Sequence, residues 1–209
     1  MTTIEEGFNN AKNTPSNVNE HIQMLADYAE KCSSIAELGV DKMVTTWAFL
    51  KGLRFNKKKK KNLYCVDITG KPSAFDGIAE LAKKNQINIE FTQGNSMKVQ
   101  IPKVDLLFID TAHHYAQLKK EFELHHERVK KYIILHNTEI DGKHGEVVRM
   151  CYYTDINSLC KENGFIPEDV VKGLQPAILE FIQTHPEWKI EKHLSNNNGL
   201  TVLSKLDGD

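Results

Sequence analysis

The sequence lacks any apolar run of the length that a membrane-spanning helix needs. No run approaches about 20 residues, and the first residues, 1–6, carry no basic stretch followed by an apolar one. We therefore expect a soluble, cytoplasmic protein that makes no use of a membrane. With 209 residues, 40% of them hydrophobic, the chain is long enough to bury a sizeable core in one domain.

A strong charge of either sign is also missing. Lys+Arg number 27 against 28 Asp+Glu, which gives no overall electrostatic case for a nucleic-acid partner. The one basic block, Lys57 to Lys61, is typical of a solvated connection between two elements, with a weak hold on a polyanion as the alternative.

Cysteine is scarce and widely spaced. Cys32, Cys65, Cys151 and Cys160 do not have the spacing of a zinc knuckle, and three of them fall in apolar or helical contexts. Reduced, packed thiols and a reducing compartment are the expectation.

A glycine-rich dinucleotide fingerprint is missing as well. It would repeat glycine two and five residues after Gly39, where the chain has Asp41 and Val44. What is present is an apolar run that ends in Glu37-Leu38-Gly39, followed by apolar residues at helical spacing. This pattern predicts strand, tight turn and helix: the opening of an α/β cofactor site, or an ordinary turn in any α/β protein.

Gly39 has no Cβ, so a ligand can approach the main-chain amides that follow it, and Glu37 can accept a hydrogen bond from a ligand amine or hydroxyl. The next predicted strand, residues 62–68, ends in Asp67, which lies 28 residues after Gly39. The usual spacing to a ribose-binding acid is about 20, and the lysine block accounts for the surplus. Gly39 and Asp67 together indicate an adenosine-type cofactor.

Further polar groups follow later strands. Asp110 ends the clearest buried strand, residues 104–110, and His136 with Asn137 ends the strand over residues 132–138. Core strands need no polar termini, so a shared site at one sheet edge is favoured. Asn95, in the turn after the strand 87–92, can face an adenine edge or serve the turn alone, and the two readings are equally supported.

The fold class follows from this alternation. Helices are predicted over residues 18–29, 72–86, 115–129, 148–162 and 174–184, and an Asn-Gly turn joins two last strands, 188–194 and 200–204. Residues 139–145 suit a lid. We predict an α/β, Rossmann-like, doubly wound seven-stranded sheet with an antiparallel C-terminal hairpin, occupying residues 18–209 behind an N-terminal arm over 1–17.

The ordered pattern resembles the class I S-adenosylmethionine-dependent methyltransferases, more narrowly the branch with cephalosporin-hydroxylase-like and sugar or macrolide O-methyltransferases. Residues 37–40, 108–115 and 136–138 carry the resemblance, along with 173–178 and 196–203. It implies S-adenosylmethionine as cofactor and a small hydroxylated acceptor such as a sugar or glycan.

The resemblance also implies roles. Glu37 and Gly39 would hold the methionine portion of the cofactor, Asp67 the ribose, and Asn95 and Ser96 the adenine. Asp41 and Asp110 would also bind the cofactor. Asp110, His136 and Asn137 would bind a divalent ion such as Mg²⁺. His113 is the candidate general base, so His113, Asp110 and His136 form the predicted catalytic set.

The chain departs from its relatives at three points. Thr111-Ala112-His113 stands where they typically carry Gly-Asp-His, Asn137 replaces an aspartate, and so does Asn95. The alternative to an enzyme is thus a catalytically silent cofactor-binding scaffold, and an NAD-dependent oxidoreductase is a more distant third. The alternative role for His113, His114 and His136 is a structural one, in which they form hydrogen bonds at the strand ends. The sequence leaves the oligomeric state open, since the N-terminal arm and the edge of the hairpin could each pair with another copy of the chain.

Overall fold

The computed structural model of the chain describes residues 3–150 and 155–206. In these residues one sheet has seven strands: β1 (Ser34–Leu38), β2 (Lys61–Asp67), β3 (Ile87–Gln93), β4 (Val104–Ile109), β5 (Val129–His136), β6 (Trp188–Leu194) and β7 (Leu200–Lys205). The α-helices are α1 (Ile4–Asn13), α2 (Ile22–Glu30), α3 (Val44–Phe55), α4 (Phe75–Lys84), α5 (Tyr115–His125), α6 (Glu146–Arg149), α7 (Ile156–Asn163), α8 (Pro167–Val171) and α9 (Leu174–Thr184).

The strand order is β3-β2-β1-β4-β5-β7-β6. Strands β1 to β5 pair in parallel, while β7 pairs antiparallel with both β5 and β6. This confirms the predicted doubly wound sheet with its terminal hairpin. The order reverses between β1 and β4, and a ligand crevice is expected where the carboxyl ends of these two strands diverge.

Two apolar cores lie against the sheet. One contains Phe49 of α3 against Phe108 of β4, with ring centroids 5.4 Å apart, and the other contains the stacked rings of Phe122 and Phe181. Every residue of β4 is buried, as a continuous apolar run in a parallel sheet predicts. Strands buried on both faces leave only their ends for chemistry.

The N-terminal segment forms a helix that packs against α3 and α2. A capping box of Thr3 and Glu6 begins α1, and Ile4, Phe8 and Ala11 are buried in the first core. Gly7 permits this contact, because a Cβ there would lie 2.3 Å from the Trp47 ring. Residues before position 18 therefore contribute to the packing of α3.

The predicted helix over 148–162 is divided between α6 and α7, and its residues 151–154, with Cys151, lie outside the described residues. Helix α5 ends at His125, earlier than predicted, because β5 already begins at Val129. The three cysteines in the described part of the chain are buried and free, as predicted. Across those same residues, no helix combines the length and apolarity needed to cross a membrane.

Candidate active site

A cleft of about 520 Å³ opens at the carboxyl ends of β1, β2 and β4. The sequence predicted seven cofactor-binding residues, and five of them line this cleft: Gly39, Asp67, Asn95, Ser96 and Asp110. The remaining predicted residues, Glu37, Asp41, His113, His136 and Asn137, lie outside that lining.

At Gly39 the ends of β1 and β4 approach each other more closely than a residue with a side chain would allow. Its φ is +84°, and a Cβ would lie 1.9 Å from the carbonyl oxygen of Asp110. The Gly39 amide donates to Val66 O at 2.9 Å, while the Asp110 amide donates to Leu38 O at the same distance. The glycine therefore makes the floor of the cleft.

Asp67 organises the loop after β1. One carboxylate oxygen accepts from the amides of Val40 (2.7 Å) and Asp41 (3.0 Å), and the other from the amide and hydroxyl of Thr69. Burial would raise the pKa of Asp67, but these hydrogen bonds outweigh it and hold the pKa low. Asp41 takes part through its backbone, and its own side chain is exposed.

Glu37 faces helix α3 and not the cleft. It is fully buried, and its two oxygens accept from the hydroxyls of Thr45 (2.5 Å) and Thr46 (2.8 Å). Burial raises its pKa to about 7, against the opposing effect of these hydrogen bonds. Its contacts tie β1 to the first turn of α3, so this arrangement makes Glu37 a support of the loop rather than a direct ligand.

Asn95 and Ser96 follow β3. Asn95 Oδ1 accepts from the Met97 amide at 2.9 Å, which is the turn role that the sequence left open. The Ser96 hydroxyl donates to Glu121 at 2.5 Å and accepts from Gln117 at 3.0 Å. Glu121 and Gln117, both on α5, were not singled out by the sequence.

A charged cluster lies beside the cleft, where β4 and β5 end. Asp110 Oδ1 accepts from His113 Nε2 at 2.9 Å and from His136 Nδ1 at 3.1 Å. Burial would raise the pKa of Asp110, but the two imidazoles outweigh it and hold the pKa far below its usual range. The predicted catalytic set is thus brought together, with Asp110 at its centre.

His113 is enclosed by acids on its other side too. Its Nδ1 lies 3.0 Å from Glu146 Oε2 and 3.5 Å from Asp141 Oδ2. Burial would lower the pKa of His113, but Asp110 and Glu146 outweigh burial and raise it to about 10. At neutral pH this ring is an imidazolium, whereas a general base must be neutral.

His136 and Asn137 complete the cluster. His136 Nε2 lies 2.9 Å from the carbonyl oxygen of Asn17, so both ring nitrogens are engaged. The Asn137 side-chain amide lies 2.9 Å from His113 Nδ1. Asn137 Oδ1 is buried and has no hydrogen-bond partner among the described residues.

Sequence reasoning missed the two acids of this cluster, Asp141 and Glu146. Both follow β5, in or just after the predicted lid, and Asp141 is 1% exposed and paired with Arg149. They bring two further carboxylates to the cluster. The available signal was their place in the charged loop after β5, which Gly142 and Gly145 shape.

Comparison with known proteins finds a domain model and solved structures that are similar to the chain. Residues 36–138 match the family model of the methyltransferase domain. No curated protein sequence matches the chain significantly.

Three solved structures of similar fold illustrate the match. The O-methyltransferase TomG of Streptomyces achromogenes, in complex with S-adenosylmethionine, is 12% identical with a TM-score of 0.61, and the match covers 96% of this chain and 90% of that one. The O-methyltransferase of Bacillus cereus, in complex with S-adenosylhomocysteine, is 15% identical with a TM-score of 0.56 and coverages of 97% and 90%. The Podospora anserina methyltransferase PaMTH1, also bound to S-adenosylhomocysteine, is 14% identical with a TM-score of 0.54 and coverages of 98% and 88%. The chain is therefore similar to the methyltransferase domain over residues 36–138 and has the same fold as these S-adenosylmethionine-dependent methyltransferases.

Proposed function

We propose that the chain transfers the methyl group of S-adenosylmethionine to a hydroxyl oxygen of a small acceptor. The observation that carries the proposal is the position of Asp110, which lines the cleft and also holds His113 and His136 in the charged cluster. The cofactor and the acid–base groups therefore meet at one residue. Two of the solved structures of similar fold are named as O-methyltransferases, which supports oxygen as the acceptor atom.

In this reaction the acceptor oxygen attacks the sulfonium methyl, the carbon–sulfur bond breaks, and S-adenosylhomocysteine leaves. The acceptor's proton must go to a group of the cluster, and His113 is our candidate. Because His113 is protonated at neutral pH, its basic form appears as pH rises towards 10. We therefore expect the rate to rise with pH across the alkaline range.

The oxygen atoms of the cluster suit a divalent cation such as Mg²⁺. A single ligand atom from each of His113, Asp141 and Glu146 can be chosen so that all three lie within 4.8 Å of one another. Asp110, Asn137, Asp141 and Glu146 would hold the cation, and His136, whose nitrogens are engaged, would act by orienting Asp110. A bound cation lowers the pKa of a coordinated hydroxyl.

The finer expectations belong to the same proposal. We take the acceptor to be a small molecule, a sugar or glycan in the first instance, and the protein to act in the cytoplasm without nucleic acid, as a possible homo-oligomer. The division into residues 1–17 and a domain over 18–209 also stays a proposal. A silent cofactor-binding scaffold is the alternative, and only turnover distinguishes it.

Two measurements test the proposal. The first is calorimetric titration with S-adenosylmethionine and with NAD, each with and without Mg²⁺. The second is release of S-adenosylhomocysteine in the presence of sugars, phenols and catechols, with Asp110→Asn as the inactive control. Binding of the methyl donor with turnover supports the enzyme, whereas binding without turnover on any acceptor favours the scaffold. Failure to bind the methyl donor overturns both.

A further inference from the structure

Gln117 lines the cofactor cleft from the first turn of α5. Its residue is 7% exposed, and its Nε2 donates to Ser96 Oγ at 3.0 Å and to Glu121 Oε1 at 2.8 Å. An amide nitrogen has two hydrogens, so both are used. The Gln117 Oε1 has no hydrogen-bond partner among the described residues. The side-chain atoms there that are both unpartnered and buried do not include this oxygen, so it is accessible.

Glu121 fixes which end of this amide faces the cleft. It is fully buried, and its Oε1 accepts from Ser96 (2.5 Å), Thr111 (2.7 Å) and Gln117. A carboxylate accepts and does not donate, so the NH₂ end of Gln117 must turn towards it. The Ser96 hydroxyl donates its one hydrogen to Glu121, so towards Gln117 it can only accept. The carbonyl oxygen of Gln117 is therefore the atom offered to the cleft.

The surroundings of Gln117 fit a flat aromatic base. Met97 and Ala112, both in the cleft lining, directly follow Ser96 and Thr111, the two hydroxyl residues that bond Glu121. Ile68 and Leu159 add further apolar surface to the same cleft. Apolar side chains next to one fixed acceptor suit a heterocycle that carries an amino group.

We propose that Gln117 Oε1 accepts a hydrogen bond from the exocyclic amino group of the cofactor's adenine, and that Glu121 is the positioning residue for this contact. The site is thereby selective for a 6-aminopurine over a 6-oxopurine, because an oxo group would place two acceptors against each other. The inference rests on the proposed function, since it requires the cleft to hold S-adenosylmethionine.

The test compares S-adenosylhomocysteine with its deaminated 6-oxo analogue, S-inosylhomocysteine, which differs at the 6-position and in the proton that the oxo form carries on N1. Binding of each is measured by calorimetry to the full chain and to its variants. We expect the chain to prefer the amino ligand by roughly 100-fold. Gln117→Leu should weaken the amino ligand by roughly tenfold and leave the oxo ligand nearly unchanged.

Glu121→Gln tests the positioning role through the ratio of the two affinities, which a merely structural residue would not move. A neutral amide at position 121 can donate as well as accept, so Gln117 is free to turn over and the preference should fall towards unity. Glu123→Gln, an exposed position on the same helix, is the matched control and should keep the preference. Melting temperatures verify that each variant is folded.

The outcomes separate the two claims. If the chain binds both ligands within threefold of each other at micromolar affinity, or Gln117→Leu retains the preference, the selectivity inference is overturned and the proposed function stands. If neither S-adenosylmethionine nor S-adenosylhomocysteine binds the chain itself, both fall together.

Discussion

The two halves of the sheet edge differ in how much room they leave. The cofactor half, beyond β1 and β2, is a cleft of about 520 Å³. The neighbouring half, beyond β4 and β5, is filled by the charged cluster, whose groups bond one another. The cavity that lies beside this cluster, among His113, His136 and Glu121, has a volume of only about 10 Å³, at the lower limit for one water molecule. We call the first the open half and the second the closed half.

The difference has a physical cause. The cleft is shaped by backbone, through Gly39 and the amides that Asp67 holds, so it exists before any ligand binds. The cluster consists of charges that satisfy one another, with His113 between Asp110 and Glu146. A cation or an acceptor must break those hydrogen bonds to enter. We infer that the cofactor site is preformed, whereas the acceptor site opens through the loop after β5.

The largest effect should come from closing the open half. Gly39→Ala places a Cβ 1.9 Å from Asp110 O and forces alanine into a left-handed conformation. We expect a loss of about 2 to 4 kcal/mol in the free energy of unfolding, because β1 and β4 must move apart. Binding of S-adenosylmethionine should fall by roughly 100-fold or more. Chemical denaturation and calorimetry measure the two effects.

Gly70→Ala is the matched control, since a Cβ at Gly70 meets no heavy atom within 4 Å. It should leave both stability and binding nearly unchanged. A Gly39→Ala variant that binds the methyl donor normally would mean that the cleft is not preformed by this backbone contact.

The next effect concerns the closed half and depends on pH. The folded-state pKa of His113, about 10, lies above the unfolded value of about 6.5. Its contribution is therefore fully present below pH 6.5 and is lost as pH rises towards 10. We expect this His113 contribution to the free energy of unfolding to fall by roughly 2 to 4 kcal/mol over that window. Denaturant unfolding at a series of pH values measures the slope.

Two buried thiols share the upper part of this window. Burial raises the pKa of Cys32 to about 12 and also raises that of Cys65, so both add a fall in stability above about pH 8.5, where unfolded cysteine ionises. Other buried groups also titrate between pH 6.5 and 8.5. Burial raises the pKa of Glu37 to about 7 and lowers the pKa of three histidines, His21, His114 and His125.

The difference in stability between the unaltered chain and His113→Gln cancels these other contributions and reports on His113. His113→Gln should be less stable at pH 6.5, and the gap between the two chains should narrow as pH rises to 8.5. A gap that does not change with pH would show that His113 is neutral, and the closed half would then hold a ready base.

The sequence predicted the open half well and the closed half only in part. Alternating buried strands and amphipathic helices determine the sheet order, and the carboxyl ends of parallel strands must meet, so Gly39, Asp67 and Asp110 were predictable from strand ends alone. Glu37 shows the limit of that logic. An acid before a glycine can serve the ligand or the next helix, and its two threonine partners, eight and nine residues later, decide the matter.

The acids of the closed half escape strand-end reasoning because a loop delivers them. Asp141 and Glu146 reach His113 only through tertiary contacts, such as the Gly145 amide on Val171 O and the Gly173 amide on Lys143 O. No periodicity encodes such a path. The protonation state of His113 could not be predicted from the sequence either, because it depends on how many carboxylates lie next to its ring.

The smallest effect should come from Ile68, the apolar residue that follows Asp67 at the mouth of the open half. It lines the cleft and is 67% exposed, an arrangement that adds little to folding. If the cofactor's base covers it, Ile68→Ala should weaken S-adenosylmethionine binding by about 3- to 10-fold, with the melting temperature unchanged. Ile166→Ala, at a side chain 55% exposed and outside the cleft lining, should change neither quantity. Equal binding by the Ile68 variant and its control would mean that the base lies elsewhere in the cleft. An effect confined to Ile68 would show that the cofactor covers apolar surface that folding leaves exposed. The closed half presents charged groups instead of such a surface.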